Sequence, residues 1–274
     1  MNTNDFKTRT EIIEEQSTCP EGYWVLGLDT GYSSVKGKSP NKRFAFPYYA
    51  KKVPEGRAFL REAEDSDIRY RDETGEWVVG KLAYDEVNAK EIVDSEQELT
   101  GRHRFFTDIF RVTTRTGIAL GLMPNKYGSC EDKHIMIEAG LPPKYINDAV
   151  DLREALCGKH DFEVKVGAGN WIKYSIELKE NDIQVMPQPL GSLVSASTNA
   201  NGRQLKTAIQ YWSGNVIVFD PGYGTLDTYI VKRGQVIGKG ETFPEYGMHE
   251  VFARTCRDIE KEFGLSIEVP ELQN

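Results

Sequence analysis

The sequence contains no apolar run long enough to cross a membrane, a length of about 20 residues, and its first residues do not look like a signal peptide. The segment from Met1 to Gln16 is polar, carries charges of both signs and has no apolar centre. We therefore expect a cytoplasmic protein that makes no contact with a membrane.

Cysteine is scarce, and the four cysteines lie far apart, at positions 19, 130, 157 and 256. No two of them form a CxxC pair, so the pattern indicates neither a zinc site nor a disulfide framework. The histidines at positions 103, 134, 160 and 249 share no spacing that is typical of metal ligands.

Basic residues form no run or stripe. The 34 lysines and arginines are scattered among 42 acidic residues, and the net charge is −8. Direct, sequence-independent binding to nucleic acid needs clustered cations that displace counterions from the phosphates. We therefore expect no direct nucleic-acid contact, and any link to DNA would need an adaptor protein.

What is present is the patterning of a mixed α/β chain. The 274 residues are 39% apolar and 11% aromatic, which is ordinary for a globular protein. Residues 1–22 are predicted to be a flexible lead-in. Strands and helices are intermingled after that, which favours an α/β class. Strands are predicted at 24–28, 35–37, 44–49, 67–70, 77–79, 134–138, 162–166, 171–178, 183–186, 216–219 and 226–231, and helices at 104–122, 144–156, 190–200 and 247–263.

Two turns share one pattern, in which an aspartate follows directly on a hydrophobic strand and a glycine comes two residues later. Asp29 and Gly31 form the first, and Asp220 and Gly222 the second. Glycine lets backbone N–H groups approach phosphates closely. Two carboxylates facing a phosphate would repel it unless magnesium lay between them. Either turn alone is also common hairpin chemistry, so a purely structural role stays open for each.

The order of these and two further motifs carries a resemblance. The segment 29–36 is followed by Gly140-Leu141-Pro142, then by Pro187-Gln188-Pro189, then by the segment 220–227. This order resembles the superfamily of actin, heat-shock chaperones and sugar kinases, and within it most the ParM-type actins that segregate plasmids. The resemblance covers about residues 23 to 262.

The resemblance implies an actin-like (ribonuclease H-like) fold in which two lobes surround ATP. Residues 23–200 would form the first lobe, with an inserted subdomain at about 50–100. Residues 201–274 would begin the second lobe, which we expect to be incomplete. The adenosine-binding motif and the returning C-terminal helix of such a fold are not recognisable in this sequence.

Site roles follow from the same resemblance. Asp29 would orient magnesium-bound water, Lys36 would contact the phosphates, Gln188 would position the attacking water, and Asp220 would complete the water shell of the metal. Catalysis would rest on Gln188 and Asp220, and the metal would be held by Asp29 and Asp220 through water. The remaining loop residues would surround the phosphates of ATP: Thr30, Gly31, Tyr32, Ser33, Gly222, Tyr223, Gly224 and Thr225.

Simpler roles remain open for several of these residues. Lys36 is also compatible with a solvated strand lysine, and Gln188 with a residue that satisfies backbone groups at a helix start. Asp227 is expected to bond the turn amides. Tyr32 and Tyr223 lie where small residues are expected, and only packing is assigned to them.

The function implied is that of an ATP-hydrolysing protein which polymerises into filaments and separates plasmid copies through a DNA-bound adaptor. A non-filament ATPase of the same superfamily is the alternative, either chaperone-like or a small-molecule kinase with Glu138 or Asp108 as its base. A scaffold protein with a vestigial nucleotide site is a third.

Overall fold

The structure, a computed structural model, describes residues 9–57, 59, 61–86 and 102–273, in which three β-sheets and seven α-helices are found. The strands are β1 (Glu11–Glu14), β2 (Tyr23–Thr30), β3 (Ser34–Ser39), β4 (Lys42–Pro47), β5 (Ala50–Lys52), β6 (Ile68–Asp72), β7 (Gly75–Val79), β8 (His134–Leu141), β9 (Gly158–Val166), β10 (Ile172–Leu178), β11 (Ile183–Pro187), β12 (Asn215–Pro221), β13 (Leu226–Lys232) and β14 (Gln235–Phe243). The helices are α1 (Lys81–Asp85), α2 (Asp108–Leu122), α3 (Ala149–Leu156), α4 (Gln188–Ser197), α5 (Ala208–Ser213), α6 (Met248–Phe263) and α7 (Val269–Gln273). The α/β class expected from the sequence is confirmed.

The largest sheet has six strands in the order β1-β4-β3-β2-β8-β11. Strands β2, β3 and β4 form an antiparallel meander, whereas β8 and β11 run parallel to β2. Because successive side chains in a strand point to opposite faces, Leu26 and Leu28 lie on one face of β2 and Asp29 on the other. The apolar face belongs to the main hydrophobic core.

Helix α2 covers that apolar face, and two glycines allow it to approach closely. A methyl group on Gly121 would lie 2.5 Å from Leu26 Cδ1, and one on Gly117 would lie 2.8 Å from Leu28 Cδ1. A side chain at either position would force the leucine, or the helix itself, to shift in the packed core, and glycine avoids this.

Strand β1 corrects the expectation of a flexible lead-in over residues 1–22. Glu11–Glu14 pairs antiparallel with β4 and adds a sixth strand to the edge of the sheet. Ile12 packs against the main core, while its charged neighbours face outward. Two apolar residues among polar ones were too weak a signal for a strand, and the edge of β4 supplies the missing partner. Residues 1–8 lie outside the described part of the chain.

The second sheet has five strands in the order β10-β9-β6-β7-β5. The inserted subdomain expected at 50–100 supplies only β5, β6 and β7, since β9 and β10 come from residues 158–178. The predicted hairpin over residues 162–178 thus extends this sheet through the pairing of β9 with β6. Residues 87–101 of the expected insertion lie outside the described residues.

The third sheet is the antiparallel meander β12-β13-β14. Helices α4 and α5 contact one of its faces, where Leu193, Tyr229 and Val231 are buried. On the other face Ile217 and Phe219 are exposed, at 57% and 65%. The meander repeats the β2-β3-β4 arrangement, in agreement with the repeated Asp-x-Gly pattern.

Three predicted helices differ at their ends. The helix expected at 104–122 starts within the 3-10 helix Arg102–Phe106 and is α-helical only over Asp108–Leu122. The helix expected at 144–156 begins as a 3-10 helix, Pro143–Asp148, and becomes α-helical only in α3. The helix expected at 190–200 begins two residues earlier, at Gln188, because proline is tolerated in the first turn of a helix. This shift places Gln188 at the N-terminus of α4.

Among the residues that the structure describes, no helix is both long enough and apolar enough to span a lipid bilayer.

Candidate functional site

The loop between β2 and β3 and the loop between β12 and β13 line one cleft of about 800 Å³. This cleft brings together every residue for which the sequence analysis expected a site role: Asp29, Thr30, Gly31, Tyr32, Ser33, Lys36, Gln188, Asp220, Gly222, Tyr223, Gly224 and Thr225. The two loops are nearly 190 residues apart in the chain, so only the tertiary fold can bring them together.

The two loops have the same local geometry. A methyl group on Gly31 would lie 3.1 Å from the carbonyl oxygen of Ser34, and one on Gly222 would lie 3.1 Å from the carbonyl oxygen of Thr225. The second turn is closed by a hydrogen bond from the Gly222 amide to Thr225 O, at 2.8 Å. Each loop therefore turns tightly around a glycine that immediately follows the end of the strand, and a bare glycine leaves the backbone open to a ligand.

Asp29 lies at the end of β2 in the floor of the cleft. Burial raises the pKa of its carboxyl group, an effect opposed by Lys36, by the Gln188 hydrogen bond and by Arg104, and reinforced by the negative charge of Asp220. Asp29 and Asp220 thus interact unfavourably although they come from different sheets. A cation between two such carboxylates would remove this repulsion.

Gln188 is tied directly to Asp29. Its side-chain amide Nε2 donates a hydrogen bond to Asp29 Oδ1 at 2.9 Å. Gly140, at the end of β8, makes room for it, because a methyl group there would lie 2.8 Å from Gln188 Cγ. The Gly140-Leu141-Pro142 motif is therefore linked physically to the Pro187-Gln188-Pro189 motif.

The second loop carries two carboxylates in different environments. Asp220 lines the cleft and accepts a long hydrogen bond from Ser192 Oγ at 3.4 Å. Asp227 is 2% exposed and accepts a hydrogen bond from Thr225 Oγ1 at 3.0 Å. Burial raises the pKa of Asp227, while bonds from Thr242 and Thr225 lower it. Asp227 therefore supports the loop through hydroxyl groups, whereas the sequence analysis expected bonds to turn amides.

Three groups near the cleft had no expected role in ATP binding, and one of them, Glu138, was expected only as a possible kinase base. Arg104 lines the cleft and comes from the 3-10 helix Arg102–Phe106, far from either motif. Glu138 lies on the cleft side of β8, and burial raises its pKa. Ser192 lies one helical turn after Gln188 on α4 and also lines the cleft. Only the Ser192 position could have been read from the sequence, as an i+4 neighbour on a helix.

The two bases considered for a kinase are placed differently. Glu138 lines the cleft, and its Oε2 is buried without a hydrogen-bond partner among the described residues. Asp108 instead forms an ion pair with Arg111 at 3.0 Å, is 60% exposed and does not line the cleft.

Comparison with known proteins identifies the class to which this fold and cleft belong. A sequence profile for the N-terminal domain of actin-like proteins matches residues 27–191. That segment is more than half of the chain, and the chain therefore belongs to the actin-like protein family. A search of the curated proteins finds no match.

Solved structures of ParM-type proteins share the fold. A non-polymerisable quadruple mutant of the pCBH ParM protein is 19% identical over 91% of this chain and 72% of its own, with a TM-score of 0.67. A 15-stranded ParM filament from Clostridium botulinum is 17% identical, over 92% of this chain and 73% of its own, with a TM-score of 0.64. An archaeal actin homologue is 16% identical, over 91% and 70%, with a TM-score of 0.57. These likenesses confirm the expected actin-like, ParM-type fold.

The two carboxylates at the loop ends match the kind of ligand that a hydrated magnesium ion takes. No three His, Cys, Asp or Glu side chains converge as metal ligands in the part of the chain that the structure describes. Magnesium does not need such a cage, because it keeps several waters and usually binds one or two carboxylates plus phosphate oxygens. Asp29 and Asp220, at the ends of the two loops, offer that pair of carboxylates.

Proposed function

We propose that this chain binds ATP and magnesium in the cleft between its two Asp-Gly loops, hydrolyses ATP, and polymerises into filaments that segregate plasmid DNA through an adaptor. One observation carries the proposal: Asp29, Asp220 and Gln188, from three separate motifs, line a single cleft. The filament step is supported by the fold, which the chain shares with a ParM filament from Clostridium botulinum.

The phosphate chain of the nucleotide would lie between the two loops. Backbone amides next to Gly31 and Gly222 would bind it, because neither glycine has a side chain that blocks approach. Lys36, which pairs with Asp29 across β2 and β3, would add a positive charge. Magnesium, when bound, would supply charge neutralisation between the carboxylates and the phosphates.

Gln188 would position the attacking water. Its Nε2 is held by Asp29, so the orientation of the amide is fixed by a charged acceptor at the cleft floor. Asp220 would accept hydrogen bonds from metal-bound water and help to polarise the nucleophile. Catalysis of this kind depends on positioning and electrostatics, and it suits slow hydrolysis that determines how long a filament persists.

Sedimentation tests the filament step. Protein at rising concentration is centrifuged with MgATP, with MgADP and without nucleotide, and ATP turnover is followed in the same samples. We expect the pelleted fraction to rise with MgATP and to fall after hydrolysis. Protein that remains in the supernatant at high concentration with MgATP, while still hydrolysing it, would contradict the filament proposal and favour a non-filament ATPase.

The variant Asp220→Ala tests the chemistry. We expect hydrolysis to be lost while the unfolding temperature in the absence of ligand changes little, because the Asp220 side chain makes only a long hydrogen bond, with Ser192, among the residues that the structure describes. Asp161→Ala removes an exposed carboxylate on β9 outside the cleft and serves as the matched control. Unchanged turnover in Asp220→Ala would remove Asp220 from the mechanism.

Two further assays separate the alternatives. A small-molecule kinase would release less phosphate and form a phosphorylated product when sugars are added. A scaffold with a vestigial site would show no thermal shift with MgATP, since a ligand that binds the native state must raise its stability.

A further inference from the structure

The ring of Tyr32 joins the two loops across the cleft. Tyr32 belongs to the first loop, yet it lies against Gly224 in the second. A methyl group on Gly224 would lie 2.9 Å from Tyr32 Cε2 and 3.0 Å from Cγ. The ring therefore rests on the bare Cα of Gly224, and any side chain at position 224 would displace either the ring or the loop that carries it.

A buried arginine fixes the position of this ring. The Arg104 guanidinium carbon lies 4.6 Å from the centroid of the Tyr32 ring, within the range of a cation–π contact. Arg104 Nη2 also donates to the carbonyl oxygen of Thr30 at 2.7 Å. One side chain thus holds both the backbone that enters the first loop and the ring that crosses to the second.

Arg104 itself has little freedom to move. It is 5% exposed, and the rings of Tyr48, Phe105 and Phe110 lie within 6.0 Å of its guanidinium group. Its Nη1 has no hydrogen-bond partner within the described residues. Burying a cation with an unused hydrogen-bond donor costs free energy. An apolar residue would fill this position without that cost, so packing alone does not explain Arg104.

The second loop is fixed in turn to the start of α6. The amide of Met248 donates to Gly222 O at 3.1 Å, and the amide of His249 donates to Tyr223 O at 2.9 Å. Tyr32, held by Arg104, thus contacts the second loop at Gly224, and the two preceding residues of that loop bond to the N-terminus of α6.

We propose that Arg104 and Tyr32 form a latch that sets the separation of the two loops and so positions them for the phosphate chain. The proposal rests on the proposed function, since it names two positioning residues for the same cleft. It gives Tyr32 a role beyond the packing that the sequence analysis assigned to it. Gly224 is then the matching half of the latch.

Because the ring and the glycine fit each other, the latch is tested with a double-mutant cycle of Tyr32→Ala and Gly224→Ala. The dissociation constant for MgATP and the ligand-free unfolding temperature are measured for each variant. We expect Tyr32→Ala and Gly224→Ala each to weaken MgATP binding by about tenfold, because loops that are no longer preorganised must be ordered on binding.

The double variant carries the decisive result. Without the ring the added methyl has nothing to strike, so we expect Gly224→Ala to cost little in the Tyr32→Ala background, in both affinity and unfolding temperature. Tyr32→Phe keeps the ring and should recover most of the affinity that Tyr32→Ala loses. Gly191→Ala is the control glycine variant for the unfolding temperature, since a methyl there would lie at an ordinary 3.8 Å from Met186 Sδ. Because Gly191 also lines the cleft, Asp161→Ala, outside it, is the control for affinity.

The outcomes separate the two proposals. A wild-type protein that binds MgATP, with Tyr32→Ala binding equally well, refutes the latch alone. Additive effects of Tyr32→Ala and Gly224→Ala on MgATP affinity also refute it, because the contact between the ring and Gly224 would then not couple the two loops. A wild-type protein with no MgATP-dependent shift refutes the proposed function and the positioning role together.

Discussion

Replacing Arg115 by methionine should destabilise the fold strongly, because the buried carboxylate of Asp72 would lose a cationic partner. Arg115 on α2 donates to Asp72 Oδ2 at 3.2 Å, to the Tyr70 hydroxyl at 3.1 Å and to His160 Nδ1 at 3.1 Å. The Asp72 side chain is 0% exposed. Removing one partner of a buried pair costs about 3–5 kcal/mol. Arg111 remains 3.5 Å away, so we expect the lower end, about 3 kcal/mol.

A loss of that size is measurable by urea or thermal unfolding. At about 2–4 °C per kcal/mol for a protein of this size, the midpoint should fall by roughly 6–12 °C. Lys81→Met is the control, because its ion pair with Asp85 is 47% exposed on both sides and should contribute only about 0.3–0.5 kcal/mol. A loss in Arg115→Met no larger than in Lys81→Met would refute the reasoning. Adding Asp72→Asn should recover part of the loss, since the buried charge is then gone.

Two further predictions concern the same core. Burial lowers the pKa of His160 below its ordinary 6.5, so the unfolded chain binds a proton that the folded one does not. The contribution of neutral His160 to the free energy of unfolding should be fully present above about pH 6.5, and it should be lost as the pH falls towards and through the pKa of the folded state. His160→Gln should flatten this slope in urea titrations at pH 5 to 7, and an unchanged slope would exclude His160. Gly121→Val should cost about 1–3 kcal/mol by overpacking against Leu26; a midpoint equal to that of the wild type would show that α2 can move away.

Most strands and both loops could be predicted because their signals are local. Residues 24–28 form a short apolar run that ends at the polar turn after Asp29, and such a run indicates a strand without any partner. Asp29 and Asp220 follow directly on such strands. That the two loops share one cleft was not local information, and it came only from the resemblance to a family with two related lobes.

Other features could not be predicted because they depend on distant partners. Arg104 is an ordinary arginine in sequence, and it becomes a site residue only when the fold places it against Tyr32 and Thr30. Strand β1 needs the edge of β4, and the second sheet needs β9 to pair with β6. Tyr32 was visible as an unusual residue in a glycine turn, but nothing in the sequence indicates that Gly224 is its partner.

The charges that line the cleft lead to a last prediction: nucleotide binding requires a divalent cation. Asp29, Asp220 and Asp227 line the cleft together with Glu11 and Glu138, whereas its cationic lining residues are Lys36, Lys38, Arg43 and Arg104. Arg104 already donates to a backbone carbonyl, and Lys38 and Arg43 pair with Glu15 at 3.4 and 3.5 Å. Lys36 therefore cannot balance the carboxylates and a polyphosphate together. The thermal shift with ATP should therefore be large with Mg²⁺ and nearly absent with EDTA. Asp29→Asn should reduce this dependence on Mg²⁺, because it removes one of the two carboxylates that would hold the hydrated ion. Equal shifts with Mg²⁺ and with EDTA would mean that the loops bind phosphate through their amides alone.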